Sequence, residues 1–304
     1  MNTSNTEQLR VVAAIPVGPK PAGVAVDVHD HVFVTNSGAN TVSVINSSTN
    51  TVSATITVGL HPEGVATDPQ FGFCVANAGN STVSLVDRFN AVVATVGVEG
   101  PFNPPPGTMR VAVDHLLSRA YVTHRGSNRV AIIHIGNEPP PFHDFIDVPG
   151  PLGVAVDPAS HRVYVTQPGL NKVSVIDPGT HGVLATIPVG QHPAGITVDA
   201  PRRRAYVADS GFSTVSVIDI ATGGVSDITV APGPNDVTVD SQGNAYVTQS
   251  GGTVSVIDAT SHTVSATIPV GARPQGLAFE PHSGRVYVAN SGDNTVSAID
   301  LAGS

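Results

Sequence analysis

The chain has 304 residues, of which only 12% are charged, and its 14 basic and 23 acidic side chains give a net charge of −9. Binding to DNA or RNA without sequence preference needs a basic surface that releases counterions, so this balance predicts no nucleic-acid partner. The single cysteine, Cys74, excludes an intrachain disulfide. No apolar run approaches the roughly 18–20 residues that span a membrane, so no membrane partner is expected.

Hydrophobic residues make up 40% of the chain and lie in short Val- and Ile-rich runs between Gly, Pro, Asn and Asp. Short β-branched runs bounded by turn-forming residues are typical of an all-β protein. The first residues, Met1 to Glu7, are polar and carry no signal-peptide pattern. We therefore expect a cytoplasmic protein, or a secreted one if a leader has been removed.

A phrase of the form Ile-Pro-Val-Gly recurs along the chain, mostly 40 or 41 residues apart. Its copies begin at Ile15, Ile56, Ile146, Ile187, Ile228 and Ile268, and a degenerate copy enters near Val96. Self-similarity at such a period indicates a repeat architecture. Seven repeats, starting near residues 15, 56, 97, 146, 187, 228 and 268, therefore form a single domain over residues 1–304.

Each repeat contains four short strand-like segments, which we call strands A to D. In the first repeat they are Gly23–Asp27, Val32–Asn36, Thr41–Ile45 and Thr51–Ile56. Four antiparallel strands in each repeat of this length are the pattern of a β-propeller blade, so the sequence predicts an all-β, seven-bladed β-propeller. The centre of strand A is always small, which places this strand nearest the crowded axis: Ala25, Ala66, Ala112, Ala155, Thr197, Thr238 and Ala278.

The seventh repeat ends after its strand C, at Asp300, and lacks a strand D. Residues 8–14 match strand D and precede the first Ile-Pro-Val-Gly phrase. We predict that they complete the last blade, because joining the two ends of the chain in one sheet closes the ring and removes two sheet edges. A closed propeller of this kind is expected to be a monomer.

The B strands end in a recurring motif. It reads Phe33-Val-Thr-Asn36, Tyr121-Val-Thr-His124, Tyr164-Val-Thr-Gln167 and Tyr287-Val-Ala-Asn290, followed by variants of Ser-Gly-x-Asn-Thr-Val-Ser-Val-Ile-Asp. Over residues 8–303 the chain resembles the YVTN β-propeller repeat family. The resemblance implies the propeller fold, whereas its functional range is wide: related propellers include cell-surface and binding proteins, lactonases, amine dehydrogenase subunits and the virginiamycin B lyase group.

Two rings of residues are expected on the face where the D–A and B–C loops emerge. The first ring is the middle residue of the Pro-x-Gly segment before strand A: Ala22, Glu63, Met109, Leu152, Ala194, Asn235 and Gln275. The second is the last residue of strand B: Asn36, Asn77, His124, Gln167, Asp209, Gln249 and Asn290. The second ring is polar throughout, which favours either a polar funnel mouth for a ligand or local bonds in the B–C turn.

Blade three breaks the repeat. It carries an extra proline-rich stretch at 101–106, Thr108-Met109-Arg110 in place of Pro-x-Gly, and His124-Arg125 at the end of strand B. Structural demands are the same in every blade, so an exception in one blade points to function. The alternative is that the two arginines brace the proline stretch.

We therefore predict an enzyme of the lyase, isomerase or cyclase, or lactonase type that acts on a small, anionic molecule near blade three. His124 would exchange a proton with Glu63 or Asp209 near neutral pH. Arginines bind carboxylates and phosphates, so Arg110 and Arg125 would hold the substrate. The remaining ligand-binding candidates are His61, His192, Asn235, Gln275, Asn36, Asn77, Gln167, Gln249 and Asn290. The alternative is a non-catalytic interaction propeller that binds a protein or glycan.

Two related groups imply metal chemistry. In the virginiamycin B lyase group, histidine at the Pro-x-Gly position and glutamate ending strand B serve a magnesium-assisted elimination; this chain has neither. Lactonase-type propellers hold a divalent cation with Glu, Asn and Asp around the axis. That resemblance implies a Mg²⁺ or Ca²⁺ ion bound by Glu63, Asn36, Asn77, Asp209 and Asn290.

Overall fold

The structure, a computed structural model, describes residues 9–98, 107, 109–136 and 143–301. They form seven separate antiparallel sheets of four strands each. The sequence prediction of an all-β, seven-bladed propeller is thereby confirmed. Within the described residues, no helix is long and apolar enough to cross a membrane.

The strands of each blade run outward from the axis in the order A to D. The A strands are β2 (Pro21–Val26), β6 (Pro62–Asp68), β10 (Met109–Asp114), β14 (Val154–Val156), β18 (Pro193–Asp199), β22 (Pro234–Val239) and β26 (Pro274–Glu280). The B strands are β3 (His31–Asn36), β7 (Gly72–Asn77), β11 (Arg119–His124), β15 (Val163–Gln167), β19 (Arg204–Asp209), β23 (Ala245–Gln249) and β27 (Arg285–Asn290).

The outer strands complete the blades. The C strands are β4 (Thr41–Asn46), β8 (Thr82–Asp87), β12 (Arg129–His134), β16 (Lys172–Ile176), β20 (Thr214–Asp219), β24 (Thr253–Ile257) and β28 (Thr295–Asp300). The D strands are β5 (Thr51–Thr57), β9 (Val92–Gly97), β13 (His143–Asp147), β17 (Val183–Pro188), β21 (Val225–Thr229), β25 (Val264–Pro269) and, from the N-terminus, β1 (Arg10–Pro16). Single-turn 3₁₀ helices follow two B strands, at Arg125–Ser127 and Pro168–Leu170.

The N-terminal strand closes the ring. Strand β1 pairs antiparallel with β28, with Ile15 opposite Val296, and the seventh sheet has the order β1-β28-β27-β26. Strand β26 in turn contacts β2 of the first blade. The predicted closure by the N-terminal strand is therefore confirmed, although its paired residues begin at Arg10 and extend to Pro16.

The hydrophobic core lies between neighbouring blades. The Phe33 ring of blade one, for example, lies 4.3 Å from the Phe73 ring of blade two, in a cluster that also contains Val42 and Val65. The B-strand tyrosines are fully buried in the equivalent layers: Tyr121, Tyr164, Tyr206, Tyr246 and Tyr287. Because each blade packs on both faces, its B and C strands are apolar on both sides.

A threonine hydroxyl fastens neighbouring blades next to the axis. The Thr35 hydroxyl accepts the Gly23 N–H of its own blade at 2.8 Å and donates to the Glu63 carbonyl of the next blade at 3.1 Å. The same pair of bonds recurs at the same position in three other blades, from Thr123, Thr166 and Thr248. The Thr near the end of these B strands therefore has a structural role, since it holds the inner strands in register around the axis.

Candidate functional site

The seven inner strands surround a cavity of about 210 Å³ on the propeller axis. At roughly 30 Å³ for each water molecule, it has room for about seven waters or a small metabolite. Its lining comes from the Pro-x-Gly segments and the first residues of the A strands. We call this cavity the axial channel.

The third position of the Pro-x-Gly segment faces this channel in all seven blades. Five blades have glycine there: Gly23, Gly64, Gly153, Gly195 and Gly276. The reason is steric, because a Cβ at Gly64 would lie 2.9 Å from the Arg110 Cα and one at Gly276 would lie 2.6 Å from the Ala22 carbonyl oxygen. The other two blades place charged residues at this position, Arg110 in blade three and Asp236 in blade six.

Arg110 belongs to a charged cluster that joins blades two and three. Its Nη1 donates to the Glu63 Oε2 at 3.0 Å, and the His61 Nδ1 lies 3.4 Å from the Glu63 Oε1. The Arg110 and Glu63 side chains are 31% and 18% exposed, so the pair is partly buried but open to a ligand. The structure thus brings together three of the residues singled out from the sequence.

Asp236 is the channel residue that the sequence analysis missed. Its Oδ1 accepts the Val237 N–H at 3.0 Å, and it packs directly against Gly195 of the preceding blade. Burial raises the pKa of Asp236 to about 6, although the Arg110 charge and the N–H groups of Val237 and Leu277 act in the opposite direction. The signal was available, because Pro-Asn-Asp at 234–236 breaks the Pro-x-Gly pattern as Arg110 does.

Two amide side chains lie beside Asp236. Asn235 lines the axial channel, and its Nδ2 donates to the Gln275 Oε1 of the next blade at 3.4 Å. Both residues are half-buried. The blade-six side of the channel therefore combines a carboxyl group with neutral donors and acceptors.

The second predicted ring lies inside the blades. The Asn36 Nδ2 donates to the hydroxyl groups of Thr41 and Ser43 on strand C, at 3.0 and 2.9 Å. Asn77 and Asn290 make the same two bonds, and all three asparagines are fully buried. The Gln167 and Gln249 side chains likewise bond Ser174 and Ser255 of their own blades. The bonds run to strand C side chains, and these residues do not line the axial channel.

His124 is also fully buried. Its Nε2 lies 2.8 Å from the Ser81 hydroxyl of blade two, and its Nδ1 accepts the Ser127 N–H at 3.0 Å. The ring therefore caps the 3₁₀ turn that Arg125 begins and ties blade three to blade two. Arg125 and His192 are both exposed, and the proline-rich stretch at 101–106 lies outside the described residues.

Asp209 occupies the equivalent position in blade five, where its Oδ2 accepts the Ser216 hydroxyl at 2.8 Å and the Thr214 hydroxyl at 3.1 Å. The Ser216 hydroxyl also lies 2.9 Å from the Asp227 Oδ1. Burial raises the pKa of Asp209 to about 6 against these hydrogen bonds, and the Asp227 charge raises it further. The carboxyl group lies inside its blade and not in the axial channel.

The residues that the lactonase resemblance implies as cation ligands do not fit a shared site. Asn36, Asn77, Asp209 and Asn290 each bond hydroxyl groups within their own blade, and Glu63 is paired with Arg110. Among the described His, Cys, Asp and Glu residues, one group alone brings three potential ligand atoms within 4.8 Å. It comprises Asp30, Glu280 and His282, at the A–B turns of blades one and seven, on the opposite face from the Pro-x-Gly segments.

Comparisons with known proteins show the fold alone. No family model matches the chain, and no curated protein matches it. A catalytically inactive virginiamycin B lyase from Staphylococcus aureus, solved with quinupristin, is 14% identical with a TM-score of 0.82, over 97% of this chain and all of that one. Hydrazine synthase of Kuenenia stuttgartiensis is 18% identical with a TM-score of 0.79, over the whole of both chains.

A third similar structure is the propeller domain of Cps50 (Swd1) from Myceliophteria thermophila. It is 9% identical with a TM-score of 0.79, over 97% of this chain and all of that one. Propellers with different functions therefore share this architecture. Function has to be argued from the side chains in the channel.

Proposed function

We propose that this propeller is an enzyme that binds a small molecule in its axial channel and moves a proton on it. The observation that carries the proposal is the pair Arg110 and Asp236, which replace glycine at two of the seven positions facing the channel. A ligand-sized cavity with a few convergent polar groups and a perturbed carboxyl group is a favoured place for a site. We also propose membership of the YVTN repeat family, on the strand-B motif.

Each charged residue has a role in this proposal. Arg110, held by Glu63 at 3.0 Å, binds a carboxylate or other oxyanion of the substrate. Asp236, whose pKa burial raises to about 6, exchanges a proton near neutral pH. Asn235 and Gln275 orient the substrate beside it. His124, which bonds Ser81 of blade two, and Asp209, which bonds Ser216 of its own blade, support the walls of the channel.

The reaction class is a lyase, an isomerase or cyclase, or a lactonase, because each of these reactions transfers a proton at one step. Proton abstraction by Asp236 requires its ionised form. The rate should therefore rise with pH through about 6 and level off above it. The similarity in fold to virginiamycin B lyase, at 14% identity, is compatible with this class and does not select within it.

A thermal-shift screen with a metabolite library tests the proposal. A compound present at 100 times its Kd stabilises the folded state by about 2.7 kcal/mol, which raises Tm by several degrees. The shift should disappear in Arg110→Gln and persist in Arg88→Gln. Arg88 serves as the control because its guanidinium stacks 5.0 Å from the Phe89 ring, away from the channel. If no compound shifts Tm, the proposal fails and a non-catalytic interaction propeller becomes the better hypothesis.

A further inference from the structure

We infer that the ligand of the axial channel is a zwitterion, with a carboxylate held by Arg110 and an ammonium group held by Asp236. This inference rests on the proposed function and adds the chemical class of the ligand. It starts from where the two charged residues stand in the ring. Blades three and six are three steps apart in one direction and four in the other, as far apart as seven blades allow.

The inner strands contact one another in ring order, so Arg110 and Asp236 approach the channel from opposite walls. Both lie at the narrow level where the other five blades tolerate only glycine. A molecule inside the channel would contact both walls at once. A positive and a negative group on facing walls match a ligand that carries one charge of each sign.

The sum of charges around the channel also disfavours a simple anion. Arg110 is accompanied by two carboxylates, Asp236 in the channel wall and Glu63 at 3.0 Å. With both carboxylates ionised, these three groups sum to −1. An anion would add to that charge, whereas an ammonium group beside Asp236 would compensate this half-buried carboxylate.

The Glu63 carboxylate orients the Arg110 guanidinium at the wall of the channel. A guanidinium has five N–H donors in a planar fork, and one Nη1 donor is directed to the Glu63 Oε2. This ion pair fixes the guanidinium and so prepares it for a ligand carboxylate. At the opposite wall, the Asn235 and Gln275 amides supply further hydrogen-bonding groups around an ammonium group.

The cavity of about 210 Å³ limits the ligand to a compact molecule. The span between the two charges can be measured with a series of ω-amino acids of increasing length: glycine, β-alanine, 4-aminobutyrate and 5-aminovalerate. Butyrate and butylamine serve as controls that carry one charge only. Isothermal titration calorimetry of the full chain with each compound at pH 7.5 gives the affinities directly.

We expect one amino acid of the series to bind at least tenfold more tightly than either single-charge control. Removing one charged partner should weaken that compound about 10- to 100-fold, in Arg110→Gln and in Asp236→Asn alike. Arg88→Gln should leave the affinity unchanged. Far-ultraviolet circular dichroism of each variant verifies that it is folded.

The outcomes separate the two claims. If butyrate binds as tightly as the best amino acid and Asp236→Asn leaves its affinity unchanged, the zwitterion inference is overturned while an anion site at Arg110 stands. If butylamine alone binds, the zwitterion inference is likewise overturned. If none of these compounds binds but the metabolite screen yields a ligand without an ammonium group, the inference fails and the proposed function survives. If the screen also yields nothing, both fail.

Discussion

The Asp209→Asn substitution should stabilise the protein at neutral pH. Three other blades have asparagine at this position, and its amide donates to a serine and a threonine hydroxyl of strand C. In blade five the Ser216 hydroxyl instead faces two carboxyl groups, Asp209 at 2.8 Å and Asp227 at 2.9 Å. One hydroxyl proton can serve only one of them. An asparagine at 209 would donate to Ser216 and release the serine proton for Asp227.

The magnitude follows from the raised pKa of Asp209. Its folded-state pKa of about 6 lies above the ordinary value of 3.8, so the folded chain favours the protonated carboxyl group. Stability is therefore greatest below the unfolded pKa and falls as the pH rises towards the folded pKa. At about 1.4 kcal/mol for each tenfold change in acidity, the loss reaches about 3 kcal/mol at pH 7 and about 1 kcal/mol at pH 4.5. Because the Asp209 side chain is fully buried, solvent screening does not reduce this loss of stability.

Urea unfolding of the two proteins at pH 7 and pH 4.5 measures this difference. Asp209→Asn should raise the free energy of unfolding by up to about 3 kcal/mol at pH 7 and by about 1 kcal/mol at pH 4.5. The reciprocal variant Asn290→Asp should destabilise blade seven with the same pH dependence. An equal gain at both pH values, or a loss at pH 7, would refute the reasoning.

Three further predictions concern closure, the blade junctions and the channel. Deleting residues 1–16 removes β1 and should lower Tm and cause aggregation, whereas deleting residues 1–8 should do neither. Differential scanning calorimetry with light scattering compares the two truncated proteins, and equal Tm values would contradict the closure model. Thr166→Val leaves the Gly153 N–H and the Ala194 carbonyl without the hydroxyl that bonds both. Urea unfolding should show a free energy of unfolding lower by about 1–3 kcal/mol, and a decrease below about 0.5 kcal/mol would be too small for this role. Asp236→Gly restores the repeat residue and should stabilise the chain by about 2 kcal/mol at pH 7, since removing the half-buried carboxylate outweighs the entropic cost of glycine. It should also weaken ligand binding about 10- to 100-fold. Lower stability at pH 7 would count against the raised pKa.

The fold could be predicted from the sequence because a propeller needs the same residue types at the same positions in each of its seven blades. The spacing of the Ile-Pro-Val-Gly phrases, the small residue at the centre of strand A and the missing strand D after Asp300 each specify one feature of a closed ring. All of these features appear in the structure. Local pattern and global architecture agree in nearly every blade, as expected of a sequence that folds to one structure.

The candidate site was harder to predict from the sequence than the fold, because a polar residue at a strand end can point into the channel or into its own blade. The Asn36 side chain and its equivalents point into their own blades, and a feature of the sequence accompanies this orientation. Asn or Asp occurs where the preceding phrase ends in glycine, as at Gly18 and Gly190, which pack directly against the side chains of Asn36 and Asp209. In the two blades that have Gln167 and Gln249, the phrase has Pro149 and Ala231 at the position of this glycine. Reading each position together with its contact partner would have assigned this ring to the blade interior.

An exception to a repeat indicates function only when its contacts do not explain it. His124 is an exception whose contacts do explain it, since its two ring nitrogens satisfy Ser81 and Ser127 and join two blades. Asp236 differs, because glycine at this position would avoid a half-buried carboxylate whose pKa is raised to about 6. Activity often requires a strained or destabilised site, so a destabilising residue in a channel wall is a reasonable candidate for a functional one. Arg110 on the facing wall also replaces glycine, although it has an ion-pair partner in Glu63, and the two charges together make the channel the favoured place for chemistry.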